Sequence, residues 1–226
     1  MTQSEIAPAA RRYLRRNWEV FLLIVIGSLL LLSLRLIGDT PDKCSPYPLV
    51  RNLISLLELL RAKVIPVLVP LSLLAAACHL LLPLPLRWRR ALVDAFAIWF
   101  TLRIIDLFVL INLLIFLKAR DHAQLMVQLL LFLPCLLLMW GWIYWRFDVR
   151  CQIATGRRMF AFRLSDDMSP TIYDYFLVSF TSLISSTLSG FTGETRTART
   201  LIFIHGIMMW DIMGLMLSRA IALVSA

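Results

Sequence analysis

The chain has 226 residues, 60% of them hydrophobic, with 23 Lys and Arg against 14 Asp and Glu for a formal net charge of +9. A soluble domain sits nearer half apolar, and one membrane span needs about 20 mainly apolar residues, so several spans fit and too little chain remains for a separate enzyme domain. The cations lie between apolar runs, which is the pattern of membrane orientation and anionic headgroups and not of nucleic-acid binding.

Residues 1–17 form a polar tail, with Arg11, Arg12, Arg15 and Arg16 just ahead of the first apolar run. No small-residue cleavage site follows that run, so it reads as a retained signal anchor. Span 1 is expected at 18–37. Residues 38–48 are a loop by their Pro, Gly and Asp content. Residues 49–63 place Arg51, Glu58, Arg61 and Lys63 among leucines, as an amphipathic helix at the interface does.

Span 2 is expected at 64–86. It has prolines near both ends and His79 inside. His79 reads either as a hydrogen-bonded packing residue or as a proton relay or ligand. Arg87, Arg89 and Arg90 make a short basic loop. Span 3, at 92–117, carries Asp94, Arg103 and Asp106. Arg103 and Asp106 are one turn apart and can pair. Charge at that depth is costly unless paired or hydrated, so the set marks either a polar pathway or a structural ion pair.

Span 4, at 125–145, ends in Trp140, Trp142, Tyr144 and Trp145, which suits an interfacial aromatic belt. The longest basic loop follows, with Arg146, Arg150, Arg157, Arg158 and Arg163. Asp166, Asp167 and Ser169 before Pro170 then signal a helix start. Span 6, at 200–224, holds His205, Asp211 and Arg219.

Between those two lies the stretch 171–193. Seven of the eleven positions from Ser179 to Ser189 are Ser or Thr. Ser182, Ser185, Ser186 and Ser189 fall at i, i+3, i+4 and i+7, one face of a helix that ends at Gly190. That face reads as a polar wall toward water, an ion or a partner helix, or as close helix packing through small hydroxyl residues.

The four cysteines, Cys44, Cys78, Cys135 and Cys151, match no zinc or redox spacing. There is no Gly-rich phosphate loop, no H-E-x-x-H and no G-x-S-x-G. No enzymatic activity, cofactor or metal is expected. One arrangement, His79 near His205 with Asp211, would make a metal or proton site.

Six spans with both termini inside put 13 basic residues in the cytoplasm and 9 outside, in keeping with the positive-inside rule.

The last quarter of the chain resembles the pore module of potassium-channel-like proteins. That family has a Tyr-Phe pair at the start of a pore helix, a Thr-rich filter, a turn, an Ala-Arg pair and a final helix. Here Tyr175-Phe176, the Ser/Thr run and Ala198-Arg199 stand in that order. The family filter reads T-V-G-Y-G-D, and its backbone carbonyls replace the hydration shell of the ion. Aligned without gaps from Ala198, the filter positions read Ser185-Ser186-Thr187-Leu188-Ser189-Gly190, without the family's glycine pattern. The same quarter resembles an uncharacterised bacterial inner-membrane family, with Leu201 to His205 as the entry to its last helix.

The channel module implies a re-entrant pore helix and a final helix running from outside to inside. That direction would leave 14 basic residues outside and 8 inside, so a full crossing at 171–190 is expected instead.

The expected architecture is an all-α polytopic bundle of about six spans plus one interfacial helix. Its parts are a basic tail (1–17), a four-span bundle (18–147) with the amphipathic segment 49–63, a basic cytoplasmic loop (148–170), and a channel-like helix pair (171–226). The expected function is a channel-like, pore-forming homo-oligomer in the bacterial inner membrane. Ser182, Ser185, Ser186, Ser189 and Gly190 would line or pack the conduit, and Asp94, Arg103, Asp106 and Asp211 would set its electrostatics. The alternative is a non-conducting anchoring subunit whose arginine loop docks a cytoplasmic protein or anionic lipid. A small transporter is a third option, against which the absence of a visible internal repeat weighs.

Overall fold

The structure, a computed structural model, describes residues 3–36, 85–113, 122–162, 169–183 and 191–224, with Pro48, Asn52, Ser55, Leu56, Leu59 and Leu74. The continuous elements among them are α1 (Gln3–Leu36), α2 (Leu86–Leu113), α3 (His122–Thr155), β1 (Phe160–Phe162), α4 (Ile172–Thr181), β2 (Phe191–Gly193) and α5 (Arg196–Val224). The chain divides into two compact units, Met1–Arg120 and Asp121–Ala226. Among the described residues three helices are long and apolar enough to cross a membrane: Arg87–Leu113, Met126–Thr155 and Arg196–Ser218. Asn17–Ser33 is a shorter apolar helix.

The first unit is built on α1 and α2. Helix α1 buries Val20, Leu23, Ile26 and Leu30, and α2 buries Val93, Ala97, Ile104, Leu107 and Ile111, one stripe on each. The two run parallel. Near one end Arg89 Nη2 donates to Asn17 Oδ1 at 2.8 Å. Further along both helices the Phe100 ring covers Gly27, where an added Cβ would stand 2.8 Å from it. The polar tail expected at 1–17 is continuous with α1 from Gln3 onward. The expected span 2, with His79, falls outside the described residues apart from Leu74, Pro85 and Leu86. So does the amphipathic segment apart from Asn52, Ser55, Leu56 and Leu59, which are helical and exposed.

In the second unit α3 is the core. Its span is 61% buried, against 28% for the span of α5, because α4 packs on one flank and α5 on another. In lipid the hydrophobic effect does not hold helices together, so close packing and hydrogen bonds must. Gly141 supplies the first: an added Cβ would lie 2.5 Å from the ring of Phe176 on α4. Helix α4 runs antiparallel to α3, since Tyr175 meets Asp148 and Ser179 meets Leu137. Helix α5 also descends along α3, with Gly193 against Ala198 and Arg199 at one end and His205 against Tyr144 and Trp140 below.

Four sequence expectations are corrected here. The basic loop expected from Arg146 is helical to Thr155, because no breaker intervenes before Gly156. Gly156, at φ +71°, closes α3 by donating its N–H to Gln152 O at 2.9 Å, the left-handed cap that glycine adopts without a Cβ clash. The aromatic belt is not a belt: Trp140, Trp142 and Tyr144 are buried inside the unit. An antiparallel ribbon pairs Phe160 with Gly193, Ala161 with Thr192 and Phe162 with Phe191, so the unit is mostly but not wholly helical.

The fourth correction concerns 171–190. Helix α4 has 10 residues and stops at the Ser182 cap. That is about 15 Å, half of a hydrocarbon core of about 30 Å. Thr171, the N-cap of α4, and Tyr175 in its first turns lie at the Asp148 end of α3. After it, Phe191 pairs with β1 at that same end. The segment therefore enters and leaves on one side of its unit, and the expected sixth crossing is not supported.

Candidate functional site

Asp148 organises the point of entry. It is 1% exposed on the last turns of α3. Its Oδ1 accepts the N–H of Met159 at 2.6 Å and of Phe160 at 3.1 Å. Its Oδ2 accepts the Tyr175 hydroxyl at 2.6 Å, and Arg158 Nη1 lies 4.0 Å away. One carboxylate thus ties β1 and α4 to α3. Burial, and then the bond to Asp148, push the Tyr175 hydroxyl well above the usual tyrosine range. Thr171 and Asp174 close the other side of the joint: Asp174 Oδ2 accepts Thr171 N–H at 2.6 Å and Thr171 Oγ1–H at 2.7 Å, a capping box for α4.

Below the latch lies a packed aromatic layer. Phe160 stacks on Phe191 at 4.8 Å, and Tyr144 meets both rings edge-on or tilted at 5.3 and 5.2 Å. Phe162 packs on Tyr175 at 4.9 Å and on Phe191 at 5.0 Å.

His205 sits at the next level down. Its ring is 1% exposed and stacks on Trp140 with centroids 4.8 Å apart. The Tyr144 hydroxyl lies 2.8 Å from Nδ1, and Ser182 Oγ lies 3.5 Å from Nε2. Ser182 Oγ–H already donates to Ser179 O at 2.6 Å, so Ser182 receives from the ring. Tyr144 O–H then donates to Nδ1, which fixes the Nε2–H tautomer. Ser179 Oγ–H donates to Leu137 O at 2.8 Å. The result is a directed chain, Tyr144 to His205 to Ser182 to Ser179, that fastens the tip of α4 to α3 and α5.

Two residues singled out from the sequence, Ser182 and His205, are therefore neighbours. Ser185, Ser186, Ser189 and Gly190 fall outside the described residues, as do His79 and Arg163. Asp211 is half-buried six residues beyond His205, which at 100° per residue puts it on another face of α5. No group of three or more His, Cys, Asp or Glu side chains that could hold a metal occurs among the described residues. In the first unit Arg103 and Asp106 form the ion pair that their spacing allows, and Asp94 is half-buried on the same helix. Arg146 and Arg150 ride on α3, and Arg157 and Arg158 follow its Gly156 cap.

Asp148 was not singled out from the sequence. Its only local signal is a lone acid between Arg146 and Arg150, because its partners come from 159–160 and 175. Comparison with protein-family models, with curated proteins and with solved structures finds no match.

Proposed function

We propose that this protein is a channel-type integral membrane subunit, conducting as a homo-oligomer in a bacterial inner membrane. One observation carries the reading: the chain around α4 enters and leaves at a single end of α3. Between the α4 tip and β2 stand Ser185, Ser186, Ser189 and Gly190. A segment that dips into a membrane and returns must bury its irregular backbone in protein or line a water-filled cavity. Long helix, short descending helix, return and long helix is also the order that the resemblance to potassium-channel pore modules implies. A single small unit offers one wall of a conduit, so several copies are needed to enclose it.

A second reading has its own support. Ser179 and Ser182 spend their hydroxyls on carbonyls of Leu137 and Ser179, which is packing and not solvation. This favours a non-conducting assembly subunit. Ion flux from purified protein in liposomes separates the two. Flux that is lost when Ser185 and Ser186 are both changed to Leu supports the conduit. A correctly assembled wild-type protein without flux refutes it and leaves the assembly subunit.

A further inference from the structure

The ribbon gathers cations from separate parts of the chain. Arg157 and Arg158 follow the Gly156 turn. Glu194 N–H donates to Met159 O at 3.0 Å, which brings that turn beside the start of α5, where Arg196 and Arg199 lie. Arg199 Nε donates to Gly193 O at 3.0 Å. Arg157, Arg196 and Arg199 are exposed, and the Arg158 side chain is 32% exposed.

Among the described residues the acids at this end do not balance them; Asp166 and Asp167 lie outside those residues. Asp148 is held by Met159, Phe160 and Tyr175, and Asp174 is spent on the cap of α4. Glu194 is the remaining exposed acid of the ribbon. The first turn of α5 has no acid but two arginines, although the helix dipole there favours negative charge. Arg199 serves the fold through its bond to Gly193 O, and an anionic ligand accounts for both arginines at that position.

Place identifies the anion. Two membrane-length helices, α3 and α5, end and begin here, so the arginines stand at headgroup depth. The unit has eight basic residues, all arginine, and only Arg219 falls beyond position 199. The positive-inside rule then sets this end in the cytoplasmic leaflet, where anionic lipids collect. Arginine's planar fork matches a phosphate with two parallel bonds, as a lysine cannot. We propose that Arg157, Arg158, Arg196 and Arg199 form a binding site for the phosphate of anionic lipid headgroups. The proposal does not depend on conduction.

The test uses the full chain in mixed micelles of equimolar phosphatidylglycerol and phosphatidylcholine, with retained lipid counted by native mass spectrometry. Wild type should keep phosphatidylglycerol in excess. Arg157→Gln and Arg196→Gln should each lower that excess about fivefold, the effect of one cation at a charged surface. Arg157→Lys should restore part of it. Thermal unfolding midpoints equal to wild type show that the variants are folded. Equal retention of the two lipids by wild type overturns the site, as does a ratio unmoved by substitution in a folded variant. Inorganic phosphate that displaces the lipid and itself raises the wild-type midpoint also overturns it, by showing a free-anion site.

Discussion

Asp148→Asn tests the latch with the least change of shape. The carboxylate accepts three buried hydrogen bonds, two from backbone N–H groups and one from Tyr175. A bond to a charged group contributes about 1.5–3 kcal/mol and a neutral one about 0.5–1.5 kcal/mol. An asparagine that keeps its carbonyl on Met159 and Phe160 loses about 1 kcal/mol at each bond. Its amide then faces the Tyr175 oxygen and leaves the hydroxyl proton without an acceptor, which costs about 1–3 kcal/mol more. The total is about 3–5 kcal/mol. Tyr175→Phe alone should cost about 1.5–3 kcal/mol, since Oδ2 keeps only Arg158 at 4.0 Å. The double variant has no hydroxyl to orphan, so it should cost no more than Asp148→Asn, a coupling of at least about 1.5–3 kcal/mol. The assay is denaturant unfolding in micelles, followed by the fluorescence of buried Trp140 and Trp142. Additive costs around the cycle, or a wild-type midpoint for Asp148→Asn, would falsify the latch.

Other substitutions probe the rest of the packing. Gly141→Ala drives a methyl into the Phe176 ring and should cost about 1–3 kcal/mol in the same unfolding assay, with Phe176→Leu restoring much of it. A Gly141→Ala protein as stable as wild type would remove α4 from this seat. The raised Tyr175 pKa makes its neutral hydroxyl the form held by the fold. Its contribution to stability is therefore complete below the unfolded value of about 10 and is lost as pH rises through the higher folded value. Unfolding titrations from pH 8 to 11 should show an alkaline decline that is shallower in Tyr175→Phe; identical declines contradict the assignment. Arg103→Leu strands the Asp106 carboxylate and should cost about 3–5 kcal/mol, whereas Arg103→Leu with Asp106→Leu should be close to neutral. A double variant as unstable as the single one would mean that the pair does not act as a unit.

Local signals in the sequence found what depends on local chemistry. Apolar runs located the helices Arg87–Leu113, Met126–Thr155 and Arg196–Ser218, and i, i+3 spacing found Arg103 with Asp106. Helix ends were misplaced where charge was read as loop, since arginine is a good helix former and Arg146 and Arg150 merely continue α3. Tertiary packing overrode the belt reading: Trp140 and Tyr144 lie inward because His205, Phe160 and Phe191 cover them. The ribbon was not legible, because two three-residue strands carry almost no period and pair across about thirty residues of chain. For His205 the sequence offers, as one arrangement, a metal or proton site with His79 and Asp211; the structure places it against the hydroxyls of Tyr144 and Ser182, while His79 lies outside the described residues.

The arginines favour one direction for the second unit. The channel resemblance fixes the last helix as running inward, which leaves 14 basic residues outside and 8 inside and argues against re-entry at 171–193. In the second unit the described chain before and after α4 lies at one end of α3, which favours re-entry and imposes no direction. With entry from the cytoplasm, and with the crossing expected from the sequence at 64–86, the same groups count 14 inside and 8 outside, a larger inside excess than the 13 against 9 of six full spans. Re-entry and the positive-inside rule thus conflict only when the direction is borrowed from the resemblance. Glu194→Cys, at an exposed position beside the ribbon, reads the direction once Cys44, Cys78, Cys135 and Cys151 are replaced by Ser. A membrane-impermeant maleimide should label it in inside-out vesicles and not in intact cells. Labelling in intact cells would turn the unit over and put Arg157, Arg158, Arg196 and Arg199 on the outer leaflet.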